Sequence, residues 1–352
     1  MIFRQDIDTD ELQDLINLEN GLFRPLAGFM KEADYRGAVD DMELASGGIF
    51  TLPVTLAVSK DIYENAVGKP VELFYSGEPC GDILVESAFK VKVGDIEKVF
   101  ATDDENHPGV QKESARLPFR IGGKIKVTNK RLLEGSLNAD TTASYFKKMG
   151  WKTVAGFQTR NPIHNAHEHL QRTALDICDG LFINPIIGWK KIGDFTEDAV
   201  MAAYEQMALD FYPKDRVYLA GLRTQMRYAG PREAVFHAII RRNLGCTHFV
   251  IGRDHAGVGE YYSAYAAHEL ARFLSEKCDL GVNLLLFREP YYCAKCGFVV
   301  SDNTCSHYET HRVEISGTII RDRIRKGEIP SELFMRPEIA KAILAQKQIF
   351  VE

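Results

Sequence analysis

Residues Gly156–Leu170 read GFQTRNPIHNAHEHL, and this strand-to-helix segment indicates the class of the fold. A short strand ends at Gln158, and Asn161-Pro162 is expected to begin a helix, because Asn is a favoured N-cap and Pro suits the first helical position. From Trp151 onward the apolar runs VAGF, LFINPIIG, RVYLA, THFVIG and VNLLLF alternate with amphipathic helical stretches. Strands that alternate with helices predict a parallel sheet, and ligands bind such sheets at the carboxyl ends of the strands. Functional residues are therefore expected in the strand-to-helix loops.

The N-terminal part of the chain has a different pattern. Its β-rich runs are short, among them Phe50–Val58, Val71–Tyr75 and Ile83–Val93, and SGEP and VGD turns separate them. The fold class is therefore predicted to be α/β, with three parts. These are a β-rich domain over residues 1–150, a parallel-sheet domain over 151–290 and a small C-terminal lobe over 291–352.

Composition excludes several classes of protein. The 352 residues are 45% hydrophobic and 26% charged, which is typical of a soluble globular protein and excludes disorder. The formal net charge of -6 argues against nucleic acid as a partner. The opening MIFRQDIDTDEL lacks the apolar core of a signal peptide, and no apolar run approaches the ~20 residues that span a bilayer. We expect a cytoplasmic protein without a membrane contact.

The two histidines at the predicted helix start in Gly156–Leu170 indicate an anion site. His164 and His167 stand three residues apart, on one face of the first helical turns. The start of a helix presents free N–H groups and partial positive charge, and Arg160 adds further donors, so the place suits a polyphosphate. The alternative is that the two histidines only cap or pack the helix. Arg160 and Asn161, directly upstream, favour the anion site.

Other loops have the same placement after a strand. GRDHAGVG (Gly252–Gly259) follows THFVI and precedes a helix predicted from Glu260 to Lys277; its glycines allow close approach of a ligand and Arg253 suits a tetrahedral oxyanion. The alternative is a Gly-rich turn with a solvated Arg. In ISGTIIRDRI, Ser316 and Thr318 can cap a helix that carries Arg321, Arg323 and Arg325. In RYAGPREA, Arg227 either faces the site or lies on the surface.

Three cysteines crowd into CAKCGFVVSDNTCSHYETH. Cys293 and Cys296 form a Cys-x2-Cys knuckle, and Cys305 follows; three thiolates and one imidazole make a closed, structural zinc site. His311 has the usual ligand spacing, whereas His307 would need a tight one-residue chelate, so His311 is favoured slightly as the fourth ligand. A redox dithiol is the weaker alternative, since it leaves the third Cys and the His unexplained.

Four motifs in this order, QTRNPIHNAH, RYAGPREA, GRDHAG and ISGT, resemble the ATP sulfurylase (sulfate adenylyltransferase) family. The likeness is to the prokaryotic form without a kinase domain. The N-terminal half resembles the PUA-like domain of that family through GLFRPLAGFM, LPVTLAV and HPGV, and GWKKIGDF (Gly188–Phe195) resembles its segment after the second strand. The resemblance implies a PUA-like N-terminal domain and a Rossmann-like nucleotidyltransferase domain with a parallel sheet.

The resemblance also implies a reaction and a set of residues. ATP and sulfate would give adenosine 5′-phosphosulfate and pyrophosphate, reversibly, by direct in-line attack of sulfate on the α-phosphorus. Mg²⁺ would arrive with ATP, and the protein would be a homodimer with a structural zinc. The sulfate ligands would be Gln158, Arg160 and Arg253. The phosphate ligands and catalytic residues would be Thr159, Arg160, Asn161, His164 and His167. Gly252 and its neighbours in GRDHAG, among them Arg253, His255 and Ala256, would contact the nucleotide through the backbone.

The chain departs from the family pattern in two places. Asn165 stands inside the HxxH where many members have a basic residue, which weakens the expected phosphate contacts. The zinc-type cysteines resemble only some prokaryotic members. No room remains after residue 352 for the kinase domain fused in some relatives, so control through such a domain is not expected.

Two other functions compete with this interpretation. The first is another nucleotidyltransferase with an HxxH or HxGH motif, adenylylating a phosphorylated metabolite; the set Gln158, Arg160 and Arg253 argues against it. The second is a non-catalytic nucleic-acid-binding protein built from a PUA-like domain and a zinc module. The acidic balance and the lack of clustered basic and aromatic residues disfavour that function.

Overall fold

The computed structural model describes residues 3–188 and 192–352. Trp189, Lys190 and Lys191 of the GWKKIGDF segment lie outside the described residues. The resemblance of this segment to the family's segment after the second strand therefore falls in part outside them.

The helices and strands follow one another in the order expected of a mixed α/β chain. The strands are β1 (Phe3–Asp6), β2 (Gly28–Phe29), β3 (Leu56–Ala57), β4 (Pro70–Tyr75), β5 (Glu78–Lys90), β6 (Phe119–Val127), β7 (Val154–Phe157), β8 (Gly180–Ile183), β9 (Ile186–Ile187), β10 (Val217–Leu219), β11 (Leu222–Arg223), β12 (His248–Ile251), β13 (Asn283–Leu286), β14 (Tyr291–Cys293), β15 (Phe298–Val300) and β16 (Arg312–Val313). The α-helices are α1 (Thr9–Glu19), α2 (Glu32–Asp40), α3 (Lys60–Asn65), α4 (Asp95–Phe100), α5 (Pro108–Ser114), α6 (Ala139–Lys148), α7 (Asn165–Ile177), α8 (Glu197–Asp210), α9 (Gly230–Asn243), α10 (Ala266–Lys277), α11 (Tyr308–His311), α12 (Gly317–Arg325) and α13 (Pro337–Leu344).

The chain forms two compact units that are not continuous in sequence. Unit 1 contains Met1–Ala143, Thr224–Gly245 and Asp254–Asn283, and unit 2 contains Ser144–Arg223, Cys246–Arg253 and Leu284–Glu352. The limits of these units do not coincide with the domain boundaries predicted at residues 150 and 290, and those boundaries stay predictions.

Unit 1 is built on a mixed sheet in the order β1-β4-β5-β6-β2, with β3 also paired to β6. Only β1 and β4 pair in parallel among the strand pairs described in this sheet. Two of the β-rich runs predicted from the sequence correspond to β4 and β5. The run Phe50–Val58 was wrong for most of its length, because only Leu56–Ala57 is a strand. Pro53 interrupts this run and has no amide hydrogen for a ladder.

Unit 2 is built on a second sheet, in the order β10-β8-β7-β12-β13. The pairs β10–β8, β8–β7 and β7–β12 are all parallel, which confirms the parallel sheet predicted from the alternating pattern. β7 and β8 are buried at every position, as expected for central strands covered on both faces. The carboxyl ends of these strands share one edge of the sheet.

Helices pack on this sheet through one apolar core. Leu170 and Ala174 of α7 join Leu181 and Ile183 of β8 in it. The helices near the C-terminus contribute to the same core through Ile320, Ile324, Ile339 and Ile343. Burial of apolar area, worth about 25 cal/mol per Å², is the main force that holds α12 and α13 in this core. The segment that carries ISGT is thereby fixed within unit 2.

None of the helices in the described ranges has the length and apolar character that crossing a bilayer requires.

Candidate active site

The turn between β7 and α7 carries most of the predicted site residues. β7 ends at Phe157 and α7 begins at Asn165, with His164 as its N-cap. The predicted helix start at Asn161-Pro162 was therefore wrong. The hydroxyl of Thr159 accepts a hydrogen bond from the Asn161 amide at 3.2 Å and donates one to the Asn161 carbonyl at 3.1 Å. This local bonding competes with helix formation and delays the helix to His164.

Thr159 is thus a residue that shapes the turn. It is 7% exposed, and its hydroxyl is committed to the backbone of Asn161. Its carbonyl accepts a hydrogen bond from the Ile186 amide at 2.9 Å, which ties the turn to the segment after β8. Gln158, just before it, has a buried side-chain oxygen without a hydrogen-bond partner.

His164 and His167 stack on each other at the start of α7. Their ring centroids lie 3.8 Å apart with an interplanar angle of 20°. Burial lowers the pKa of His164 well below its ordinary value, and the neighbouring His167 adds to this effect. Burial also lowers the pKa of His167, to about 4, although a hydrogen bond with Pro162 opposes the shift. Both rings are therefore neutral at pH 7, so they offer N–H donors to an anion but no positive charge.

The first turn of α7 offers fewer free amides than the sequence led us to expect. The amide of Asn165 donates to the Phe334 carbonyl at 2.8 Å, and the amide of His167 donates to Nδ1 of His164 at 3.4 Å. The side-chain Nδ2 of Asn165 donates to the Glu332 carbonyl at 2.8 Å. These two amides at the helix start are therefore not free for a phosphate. Asn165 instead holds the start of α7 to residues 332–334.

Arg321 reaches the same turn from α12. Its guanidinium donates to Oδ1 of Asn161 at 3.4 Å and lies 3.7 Å from a carboxylate oxygen of Asp194. The hydroxyl of Ser316 accepts from the Thr318 amide at 3.3 Å and caps α12, as the ISGT motif predicts. The sequence predicted three arginines on this helix but did not indicate which of them would reach the turn after β7. Arg323 pairs with Glu328 at 2.6 Å on the exposed side.

The second predicted loop leaves the sheet beside the first. β12 pairs in parallel with β7, with Phe249 opposite Gly156, and continuing this register places Ile251 level with Gln158. Neighbouring strands lie about 4.8 Å apart, so the turns after β7 and β12 begin next to each other. A Cβ built on Gly252 would meet nothing closer than a methyl group of Leu170 at 4.0 Å. Packing therefore leaves room for a ligand to approach this glycine.

Arg253 is the charged residue of this second loop. Its side chain is 49% exposed and lies 3.3 Å from Oε1 of Glu289, whose other oxygen pairs with Arg312 at 2.7 Å. Arg253 is therefore neither buried nor a freely solvated arginine. The helix predicted from Glu260 begins only at Ala266.

Two further predicted residues belong to unit 1. His255 lies with Nε2 3.3 Å from Nδ1 of His237, and the carbonyl of Ala256 accepts from the Gly230 amide at 3.2 Å. Arg227 also belongs to unit 1, where its Nη2 donates to both carboxylate oxygens of Asp14, at 2.9 and 3.0 Å. Its side chain is only 11% exposed, so the alternative of a surface arginine was wrong.

The cysteine cluster gathers around His307. Ligand atoms of Cys293, Cys296, Cys305 and His307 all lie within 4.8 Å of one another. Nδ1 of His307 is 3.4 Å from Sγ of Cys296 and 3.6 Å from Sγ of Cys305. The cysteines are free thiols, as a metal site requires.

The structure thus gathers His307 with the three cysteines rather than the slightly favoured His311, and the identity of the fourth ligand stays a prediction. Nδ1 of His311 lies 2.6 Å from the hydroxyl of Thr310. The chain can make the tight Cys-x-His chelate because it bends back at Cys305, where the amide of His307 donates to Sγ of Cys305 at 3.3 Å.

Two family models match the chain. One is ATP-sulfurylase over residues 136–346, and the other is a PUA-like domain over residues 2–130. The chain belongs to the ATP-sulfurylase family. The sulfate adenylyltransferase of Staphylothermus marinus is 44% identical over 351 residues, which cover 98% of this chain and 91% of the relative. The sulfate adenylyltransferase of Ignicoccus hospitalis is 42% identical over 350 residues, with the same 98% and 91% coverage.

These relatives confirm the family and the activity expected from the four motifs, a sulfate adenylyltransferase, and the second model confirms a PUA-like N-terminal domain. A solved structure described as a hexameric APS kinase from Thiobacillus denitrificans superposes with a TM-score of 0.71. It is 18% identical, and the match covers 98% of this chain and 63% of that one. This likeness concerns the fold alone. The roles of the individual site residues stay predictions.

The low pKa of His167 makes stability depend on pH. Between pH 6.5 and about 4 the unfolded chain binds a proton at His167 that the folded chain does not, so the free energy of unfolding falls as the pH falls through this window. We expect His167→Gln to show a shallower fall than the natural protein. Denaturant unfolding at pH 7 and pH 4.5 measures both slopes. Equal pH dependence in the two proteins would contradict the buried, neutral state of the ring.

Proposed function

We propose that the edge formed by the turns after β7 and β12 holds ATP and sulfate and transfers the adenylyl group between them. A sulfate oxygen attacks the α-phosphorus in line, the bond from that phosphorus to the bridging oxygen breaks, and pyrophosphate leaves with the electron pair. Mg²⁺ arrives bound to ATP. The observation that carries this proposal is the register of β7 and β12, which starts the two turns side by side. Ligands of parallel sheets bind at this edge.

Sulfate is proposed to bind Gln158, Arg160 and Arg253. Sulfate is fully deprotonated, so it needs no general base, and rate enhancement depends on positioning and charge neutralisation. The buried oxygen of Gln158 lacks a partner, and rotating the amide by 180° would place its NH₂ group there as a donor. Arg253 supplies a planar fork of donors that suits a tetrahedral dianion. To bind sulfate it exchanges its exposed contact with Glu289 for the oxyanion.

The phosphates are proposed to bind Asn161, His164 and His167. The stacked imidazoles supply neutral N–H donors, so positive charge must come from elsewhere. We add Arg321 to this set, because it already contacts Asn161 Oδ1 at 3.4 Å. Thr159 positions the turn through its bonds to Asn161. Negative charge that builds up on the leaving pyrophosphate is then stabilised by donors already in place.

The GRDHAG segment is proposed to contact the nucleotide. Gly252 has open space where a Cβ would stand, which favours close approach of a ligand to its backbone. His255 and Ala256 follow in the same segment and are proposed as further nucleotide contacts.

A structural zinc is proposed at Cys293, Cys296, Cys305 and His307. Three thiols and an imidazole nitrogen within 4.8 Å of one another fit a closed tetrahedral site. When bound, the ion would crosslink the end of β14 at Cys293, the turn before β15 at Cys296 and the segment from Cys305 to His307, and would leave no position open for substrate. We further propose a cytoplasmic homodimer, as the sequence led us to expect.

The sulfate assignment predicts a selective loss. Arg253→Ala removes two donors to the dianion and should lower kcat/KM for sulfate by about 100-fold, while Arg253→Lys keeps the charge and loses less. The assay is sulfate-dependent release of pyrophosphate from Mg-ATP. Arg323→Ala is the matched control, because this arginine is exposed and pairs with Glu328. Normal kcat/KM for sulfate in Arg253→Ala would refute the assignment.

The zinc assignment predicts opposite outcomes for the two histidines. His307→Ala should reduce bound zinc to well below one ion per chain and lower the melting temperature, because metal binding contributes to folding. His311→Ala should retain the ion. Elemental analysis of both purified variants after dialysis decides between them. A full complement of zinc in His307→Ala would overturn the ligand set.

A further inference from the structure

Three polar side chains of unit 1 form a line that ends at His255. Glu233 and His237 lie one turn apart on α9 and are 0% and 1% exposed. Oε1 of Glu233 is 3.4 Å from Nε2 of His237, and Nδ1 of His237 is 3.3 Å from Nε2 of His255. Glu233 belongs to the RYAGPREA motif, but the proposed function gives neither Glu233 nor His237 a role.

The partners of Glu233 determine which groups donate and which accept along this line of side chains. Its two oxygens accept hydrogen bonds from the amides of Arg227 at 2.8 Å and Ala229 at 3.0 Å, so the group acts as an acceptor. Burial by itself would raise the pKa of Glu233, but the hydrogen bonds that it accepts from His237 and from the backbone amide of Arg227, together with the positive charge of Arg227, outweigh burial and hold that pKa below its ordinary value. Glu233 is therefore an ionised carboxylate at pH 7.

The proton positions on the two histidines follow from that carboxylate. Burial lowers the pKa of His237, so its ring is neutral at pH 7 and carries one proton. That proton belongs on Nε2, which faces the carboxylate. Nδ1 of His237 is then an acceptor, and Nε2 of His255 must donate to it. In its neutral form His255 consequently carries its proton on Nε2 and has an acceptor lone pair on Nδ1.

α9 also holds the backbone next to His255. The Gly230 amide donates to the carbonyl of Ala256 at 3.2 Å, and Gly230 directly follows the segment bonded to Glu233. Asp254 and Ala256 have φ of +50° and +59°, a region that non-glycine residues seldom occupy, so the turn needs outside support. The side chain and the backbone of this turn are thus both anchored to the start of α9.

We propose that Glu233 and His237 are positioning residues that fix the tautomer of His255, so that its Nδ1 accepts a hydrogen bond from a donor of the nucleoside. The donor is the ribose 2′-hydroxyl or the adenine 6-amino group. A phosphate oxygen is excluded as the partner of this nitrogen, because both atoms are acceptors. This inference rests on the proposed nucleotide contact of the GRDHAG segment.

Nucleotide discrimination tests the proposal. The natural protein, His255→Ala, His237→Gln and the double variant are assayed with ATP, 2′-deoxyATP and inosine triphosphate, which lacks the 6-amino group. We expect His255→Ala to reduce the preference for ATP over one of the two analogues, measured as the ratio of their kcat/KM values, by about tenfold. This is the effect of losing one hydrogen bond to a buried group. His237→Gln should lose the same preference, and the double variant should lose no more. The analogue affected identifies the donor.

Loss of stability alone would give a different pattern, since it lowers turnover with all three nucleotides alike. His268→Gln is the matched control, because His268 is 1% exposed on α10 of the same unit. It should leave the preference unchanged. If His237→Gln or His255→Ala kept the preference for ATP that the natural protein shows, the inference would be overturned.

The tautomer can be tested without any activity. In ¹⁵N spectra of the full-length, ligand-free protein, His255 should show its proton on Nε2, and His237→Gln should show a mixture. A mixture in the natural protein would overturn the inference even in an active enzyme. Absence of sulfate-dependent turnover in the natural protein would instead reject the proposed function and leave the tautomer measurement valid.

Discussion

Hydrogen bonds from three directions hold the turn from Gln158 to His164, and the candidate site depends on them. The Thr159 hydroxyl closes the turn on Asn161, the Ile186 amide ties it to the segment after β8, and Asn165 ties the start of α7 to residues 332–334. These seven residues have no helix or strand of their own to fix them. A ligand site needs its donors held in advance, since ordering them on binding costs affinity.

The same bonds change which groups are available to an anion. Asn165 and His167 have already committed their amides, and burial keeps both imidazoles neutral at pH 7. Among the described residues of the two turns and of α12, positive charge near the site is therefore left to arginines. Arg253 and Arg321 each lie near a carboxylate, Glu289 and Asp194, at 3.3 and 3.7 Å. An anion must compete with these carboxylates, which favours a dianion with several oxygens over a monovalent ion.

The parallel sheet of unit 2 could be predicted because its buried strands are continuous apolar runs, and the metal cluster because thiols at Cys-x2-Cys spacing have few other uses. The start of α7 could not, since Asn161 and Pro162 satisfy every local rule for a helix start. The competing bond from the Thr159 hydroxyl decides the outcome. His307 could not be chosen over His311, because the bend of the chain at Cys305 is not visible in residue spacing. Arg321 was one of three arginines on a helix whose orientation depends on tertiary packing.

The central claim is that the edge carrying the turns after β7 and β12 transfers an adenylyl group to sulfate. Pyrophosphate release by the purified protein tests it most directly, with Mg-ATP alone, with added sulfate and with added molybdate. We predict release that depends on sulfate, and release with formation of AMP when molybdate replaces it, because a molybdate adduct would hydrolyse. A protein that binds ATP but releases pyrophosphate without regard to either oxyanion would contradict the claim. It would point instead to a phosphorylated metabolite as the acceptor.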